Sequence, residues 1–187
     1  MKKYNKQDLF RYEGSRCNSL KVQLRYLLFV PGFQYSYCLR HAQHAKSPIA
    51  RFFWAGMLRL MMYHSGIQIP YTTSIGQGLY FGHWGALEIN PNAIIGKNFS
   101  IGRGCSVGNA QGKKKGTPII GDNVVMQTNS MIMGGVNIGN NVLIGPGAFV
   151  NFDVPDNSIV IGNPGKIIQR ASSPTVKYIV YPVEDYC

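Results

Sequence analysis

Long apolar runs are missing from this sequence. The stretch richest in large apolar groups, residues 49–64, is interrupted by Arg51 and Arg59, so no span is long and charge-free enough to cross a bilayer. The N-terminal MKKYNKQDLF is basic, yet it lacks the apolar core and small-residue cleavage site of a secretory signal. Cysteine is sparse. Cys17, Cys38, Cys105 and Cys187 fit neither the spacing of a zinc site nor a compact disulfide framework. Reduced thiols in a cytoplasmic protein are therefore expected. Acid is scarce too, with 8 Asp and Glu against 19 Lys and Arg. The surplus is uneven: residues 1–66 hold eleven Lys and Arg against Asp8 and Glu13, whereas residues 67–165 hold five against four acids. A basic N-terminal segment suits peripheral contact with the inner membrane face, an acidic partner, or simply a solvated face. Nucleic acid is not expected, because no recognised binding motif accompanies the charge.

Glycine is abundant, at 22 residues, and a repeat accounts for it. Ile120, Met126, Ile132, Ile138, Ile144 and Val150 recur every sixth residue, and Val124, Ser130, Val136, Val142, Ala148 and Val154 follow each of them by four. A period of six is neither helical nor a simple strand alternation. It predicts a solenoid of short strands and tight turns whose coils are stable only when stacked. Upstream, Ile69, Ile75 and Phe81 share the period, as do Ile89, Ile95, Ile101 and Val107. Glycine follows many of these positions, and Asn92, Asn98, Asn123, Asn140 and Asn141 fall around the same turns. Asn tolerates left-handed backbone best after Gly.

In chain order, residues 1–18 read as polar, basic and poorly anchored. Helical spacing covers residues 19–30 and 33–45, separated by Pro31-Gly32. His41 and His44 share a helix face without a third ligand, and a solvated surface is expected for both. Ser47-Pro48 opens a third helix over residues 49–64, apolar nearly all round and so expected to be buried against the solenoid, a partner subunit or lipid. The division is thus a helical segment at 1–66, the solenoid at 67–165, and a tail at 166–187 with weak signals. Within the solenoid, residues 109–119 (NAQGKKKGTPI) break the period as a loop that leaves the coil.

The repeated aliphatic-Gly-x-x-small-x unit resembles the hexapeptide-repeat acyltransferases. Three stretches narrow the likeness. Residues 78–85 (GLYFGHWG) resemble the segment carrying the catalytic histidine in the serine acetyltransferase branch. Residues 112–124 resemble the loop and re-entry of that branch, especially in polysaccharide O-acetyltransferases. Residues 161–168 (IGNPGKII) resemble the closing motif, with Gly165 where Ala is usual. The resemblance covers about residues 66–168. It implies a mainly β fold, a left-handed parallel β-helix after an N-terminal α-helical segment, against the usual right-handed crossover rule. It further implies a homotrimer and acetyl-CoA as co-substrate, with no metal.

The resemblance makes His83 the general base that takes the proton of an attacking hydroxyl, in direct transfer without an acyl-enzyme. His83 is the only histidine of the solenoid, because His41, His44 and His64 precede it. Serine acetyltransferases pair that histidine with an aspartate, where this chain has Gln68. They place an acid before the histidine, where it has Gly82, and a histidine in the loop, where it has Thr117. Gln68 can orient the ring through its amide oxygen but cannot stabilise an imidazolium as a carboxylate would. These departures lead to the expectation of a neutral acceptor, a sugar or polysaccharide precursor, in place of serine. Serine remains an alternative acceptor, and an inactive trimeric scaffold is a further alternative. For the donor, the likeness implies contacts with backbone groups near Asn109, Ser130 and Ala148. It also implies oxyanion donors around Gly108 and Asn109, and phosphate contacts at Lys166 or at Lys113, Lys114 and Lys115. Cys105 occupies a small-residue repeat position, so burial is expected there rather than nucleophilic chemistry.

Overall fold

The computed structural model describes residues 1–112 and 114–186. Helices α1 (Lys3–Glu13), α2 (Leu20–Phe29), α3 (Pro31–Gln43) and α4 (Pro48–Ser65) precede a coil of short strands. The start of α4 follows from its residues. Ser47 Oγ accepts from the Ala50 N–H at 3.1 Å, Pro48 takes the first turn, and Gly66 closes the helix at φ 72°.

The first coil contributes β1 (Ile67–Gln68), β2 (Ser74–Ile75) and β3 (Tyr80–Phe81). The second contributes β4 (Leu87–Ile89), β5 (Ile94–Ile95) and β6 (Ser100–Ile101), and the third β7 (Ser106–Gly108), β8 (Ile119–Ile120) and β9 (Val125–Met126). The fourth contributes β10 (Met131–Met133), β11 (Asn137–Ile138) and β12 (Leu143–Ile144), and the last β13 (Phe149–Val150) and β14 (Ser158–Ile161). β15 (Lys166–Gln169) folds back antiparallel on β14. Three sheets result: a first face of β1-β4-β7-β10-β13, a second of β2-β5-β8-β11, and a third of β3-β6-β9-β12-β14-β15.

The period of six becomes three buried columns. Ile69, Ile89, Val107, Ile132 and Val150 line the first face, Ile75, Ile95, Ile120, Ile138 and Val154 the second, and Phe81, Ile101, Met126, Ile144 and Val160 the third, all buried. The corner between the second and third faces is held by a ladder of asparagines at positive φ. Asn98 donates to Asn123, Asn123 to Asn141, and Asn141 to Asn157, at 2.9, 3.1 and 2.9 Å. Each amide satisfies the next coil, which glycine at those corners would not do. Glycine is required instead where coils touch. A Cβ on Gly96 would lie 2.7 Å from the Gly121 carbonyl carbon.

The N-terminal segment differs from expectation. α1 is firmly seated. Leu9 and Asp8 are fully buried, and Asp8 pairs with Arg40 while accepting from the Gly78 and Leu79 N–H groups. Arg11 donates to the Gly78 carbonyl at 2.7 Å and to Ser100 Oγ at 2.9 Å. Arg11 and Arg40 are thus consumed inside the fold, so the surface surplus of this segment is smaller than its sequence suggests. α4 is covered by its own chain along one stripe only. Leu58 and Ser65 are its buried residues, whereas Ile49 and Phe52 are each 84% exposed, because only one stripe meets α3 and the first coil. No helix among the described residues is long and apolar enough to cross a membrane. The tail also docks: Ile179 and Val183 are buried, the Val183 N–H donates to Asn98 Oδ1 at 2.8 Å, and Tyr181 and Tyr186 pack on Phe10.

His41 is not the solvated residue its spacing suggested. Its ring stacks on Trp54 of α4, with centroids 4.2 Å apart, and Nε2 has no hydrogen-bond partner among the described residues. Burial holds its pKa down at about 4, with Lys2, His44 and the N-terminal ammonium adding to the effect. Unfolded histidine titrates near 6.5, so the unfolded chain binds the proton more readily. The stability contributed by neutral His41 is complete above pH ~6.5 and is lost as pH falls toward ~4. His41→Phe is expected to flatten the fall of the urea midpoint between those limits. An unchanged pH dependence would remove His41 from the acid response.

Candidate active site

His83 lies at the corner joining the third face to the first, between β3 and β4. The preceding Gly82 N–H donates to the Ile101 carbonyl at 3.1 Å, which fixes the chain as it leaves β3. The Tyr12 hydroxyl accepts from the Phe81 N–H at 2.9 Å, so α1 also holds this strand. The imidazole is exposed and makes no hydrogen bond among the described residues. It borders a cleft of about 490 Å³ shared with Gln127, Thr128, Lys177 and Tyr178. An exposed imidazole bordering a cleft can accept a proton from a hydroxyl.

A second cavity, of about 510 Å³, lies between α4 and the outer side of the first face. Gln68, Glu88, Asn90, Gly108, Asn109 and Arg59 are among its lining residues. Cα register places Glu88 directly beside Gln68 on the neighbouring coil, and Ser106 Oγ donates to Glu88 Oε1 at 3.1 Å. The Asn109 N–H follows the end of β7 and has no backbone partner among the described residues, so it is free to donate into the cavity. His83 and Asn109 sit at opposite edges of the first face. The three-residue strand β4 that separates those edges spans about 10 Å. Gln68 and His83 therefore line different cavities and make no hydrogen bond to each other. The expected His83–Gln68 pair does not form within a protomer, because Gln68 projects from the middle of the face and His83 from its corner.

A family model described as bacterial transferase hexapeptide (six repeats) matches residues 117–151. A serine acetyltransferase of Synechococcus elongatus is 32% identical over 168 residues, covering 87% of this chain and 66% of that protein. The chain thus carries a hexapeptide-transferase repeat and is similar to serine acetyltransferases along most of its length. The crystal structure of serine acetyltransferase from Neisseria gonorrhoeae superposes with a TM-score of 0.69 at 25% identity, over 94% of this chain and 66% of that one. A serine acetyltransferase solved in complex with CoA gives a TM-score of 0.72 at 19% identity, over 88% of this chain and 68% of that one, which speaks for the fold alone. The chain spans 53% to 66% of the length of the first curated relatives it matches.

These relatives overturn the polysaccharide branch and the sugar acceptor inferred from Gln68, Gly82 and Thr117. The absence of an acid at Gln68 does not leave its cavity without charge, since Glu88 and Arg59 border that same cavity. The hexapeptide transferase fold places the other expected residues as follows. Ser130 is fully buried, its Oγ donates to the Gln127 carbonyl, and its own N–H and carbonyl are engaged with Gln127 and Ser106. Ala148 is likewise inside the coil, its N–H and carbonyl bonded to Gly145 and Met131. Neither lines either of the two cavities described above, because their repeat positions point inward. Lys114 is committed to Asp153 at 2.8 Å, an ion pair that holds the Asp153 carboxyl below its usual range. Lys115 is exposed on the same loop, Lys166 is exposed on β15, and Lys113 lies outside the described residues. The loop interrupts the coil between β7 and β8; Ala110 and Gly116 bridge each other at its base, and the Gly135 N–H donates to the Lys114 carbonyl at 2.8 Å. Cys105 is fully buried, its Sγ 3.0 Å from the Gln127 carbonyl, and Cys187 lies outside the described residues.

Sequence reading missed Glu88, Lys177 and Tyr178. Glu88 had a signal, as the sole acid between Glu13 and Asp122 and one that stands on a strand's outer side. The tail residues had none, because only the fold of the tail brings them to His83.

Proposed function

We propose that the chain is a serine O-acetyltransferase using acetyl-CoA, with His83 as general base. The similarity to serine acetyltransferase over 87% of the chain carries this reading. In it, residues 67–165 form a left-handed β-helix that performs the transfer, and residues 1–66 brace its first coils. The imidazole nitrogen of His83 takes the serine hydroxyl proton as the oxygen attacks the thioester carbonyl. The resulting oxyanion accepts from the Asn109 N–H, which is fixed by the end of β7 and needs no reorganisation. Collapse breaks the C–S bond, the proton on His83 passes to the leaving thiolate, and O-acetylserine and CoA remain. Exposed Lys115 and Lys166 suit the phosphates of CoA.

His83 and Asn109 sit at opposite edges of one face and line different cavities, so a single protomer does not complete this site. Three copies packed side by side would set the His83 corner of one against the Asn109 edge of the next. Chains carrying His83→Ala and chains carrying Asn109→Pro, each inactive alone, are expected to regain measurable activity when co-assembled. Absence of any recovery would return both groups to one protomer. The reading as a whole is tested by following thiol release from acetyl-CoA with free serine as acceptor; a chain that leaves serine unacetylated overturns it.

A further inference from the structure

We infer that Glu88 and Arg59 form the acceptor's recognition site, Glu88 taking the α-ammonium of serine and Arg59 its α-carboxylate. This rests on the serine acetyltransferase reading and adds the groups that select the acceptor. Both residues border the cavity between α4 and the first face, Glu88 from β4 and Arg59 from the helix. Among the described residues neither belongs to an ion pair. Glu88 accepts only from Ser106 Oγ, and Arg59 Nε donates to the Tyr63 hydroxyl at 3.1 Å on its own helix. One free carboxylate and one free guanidinium in a single cavity are the complement of a zwitterion. A neutral polyol would leave both charges uncompensated, and a dianion would be repelled by Glu88.

The remaining lining supports a small polar guest. Gln68, Asn90 and Asn109 offer amides near the two charges, and Ile89, Val107 and Met133 form an apolar floor. Cα register with Gln68 puts the Glu88 backbone one coil away, about 4.8 Å. The acid missing at 68 is thus supplied one rung further along the same outward-facing column. Ser106, on the rung beyond, fixes the carboxylate through its hydroxyl.

The experiment is steady-state kinetics on the full chain with Glu88→Gln and Arg59→Met, using serine, 3-hydroxypropionate and serinamide as acceptors. Each substitution removes a charge-assisted hydrogen bond, so KM for serine is expected to rise about 10- to 100-fold. KM for acetyl-CoA is expected to stay within about twofold, since neither group is assigned to the donor. Glu88→Gln should abolish the preference for serine over 3-hydroxypropionate, which lacks the ammonium. Arg59→Met should abolish the preference over serinamide, which lacks the carboxylate. Both side chains are exposed at the cavity, so the variants keep their fold, as wild-type thermal midpoints would verify. Wild-type KM and acceptor preference in both variants, with an active wild-type chain, would overturn the inference alone. A wild-type chain inactive on serine would overturn the inference together with the activity it rests on.

Discussion

Replacing His83 with alanine is expected to lower the rate of acetyl transfer to serine by about 100- to 10,000-fold, the usual contribution of a positioned general base. The ring is exposed at a corner and bears no structural hydrogen bond, so its removal costs the fold little. The loss should therefore fall on kcat, with KM for both substrates close to wild type, because the interaction is made mainly in the transition state. His83→Gln keeps a polar ring-sized group but no base, and it should be as slow as the alanine variant. An unaffected rate in both would place the base elsewhere or leave the coil a non-catalytic scaffold. Thiol release from acetyl-CoA, with circular dichroism as a check on folding, separates these outcomes.

The columns on which His83 is mounted were legible before any coordinates. Ile75, Ile95, Ile120 and Ile138 announce one another in sequence because each stacked rung repeats the same inward position. The loop at 109–119 was legible for the same reason, as a break in an otherwise regular period. What escaped was everything whose partner lies far along the chain. Residues 1–18 read as loose because local periodicity cannot see that Asp8 finds Gly78 and Leu79, seventy residues or more away. His41 read as solvated because Trp54, which covers it, belongs to the next helix. α4 read as buried against the solenoid, a partner subunit or lipid because its composition is apolar, and its own protomer covers one stripe of it. The motif pointed to His83 as the base proposed here, whereas Glu88, the acid proposed for the acceptor, stands one rung from the position the motif indicated. A family pattern marks positions, and a neighbouring coil can supply the same charge to the same cavity from another position.

The joint between helices and coil carries the other large expected effect. Asp8 is fully buried and receives four donors: Arg40 Nε at 2.8 Å, a second Arg40 nitrogen at 3.1 Å, and the Gly78 and Leu79 N–H groups at 3.0 Å each. Asp8→Ala would leave the Arg40 guanidinium buried without its counter-charge and strand two backbone donors. Breaking one side of a buried pair costs about 3 to 5 kcal/mol, a large share of the stability of a domain this size. The chain is expected to unfold at markedly lower urea, with the midpoint as the measurement. Arg40→Met alone should also be severe, since it leaves the Asp8 carboxylate buried with only two donors. The double variant should be less damaging than the sum of the two, because the uncompensated charge disappears with its partner. Strict additivity would mean that the pair is not the unit holding α1 and α3 to the first coil. The consequence reaches the chemistry. Gly78 and Leu79 lead into β3, and β3 leads to His83, so loosening that turn should lower kcat even under conditions where the chain remains folded. A folded Asp8→Ala chain with full activity would show that the corner at His83 is positioned by the coil alone.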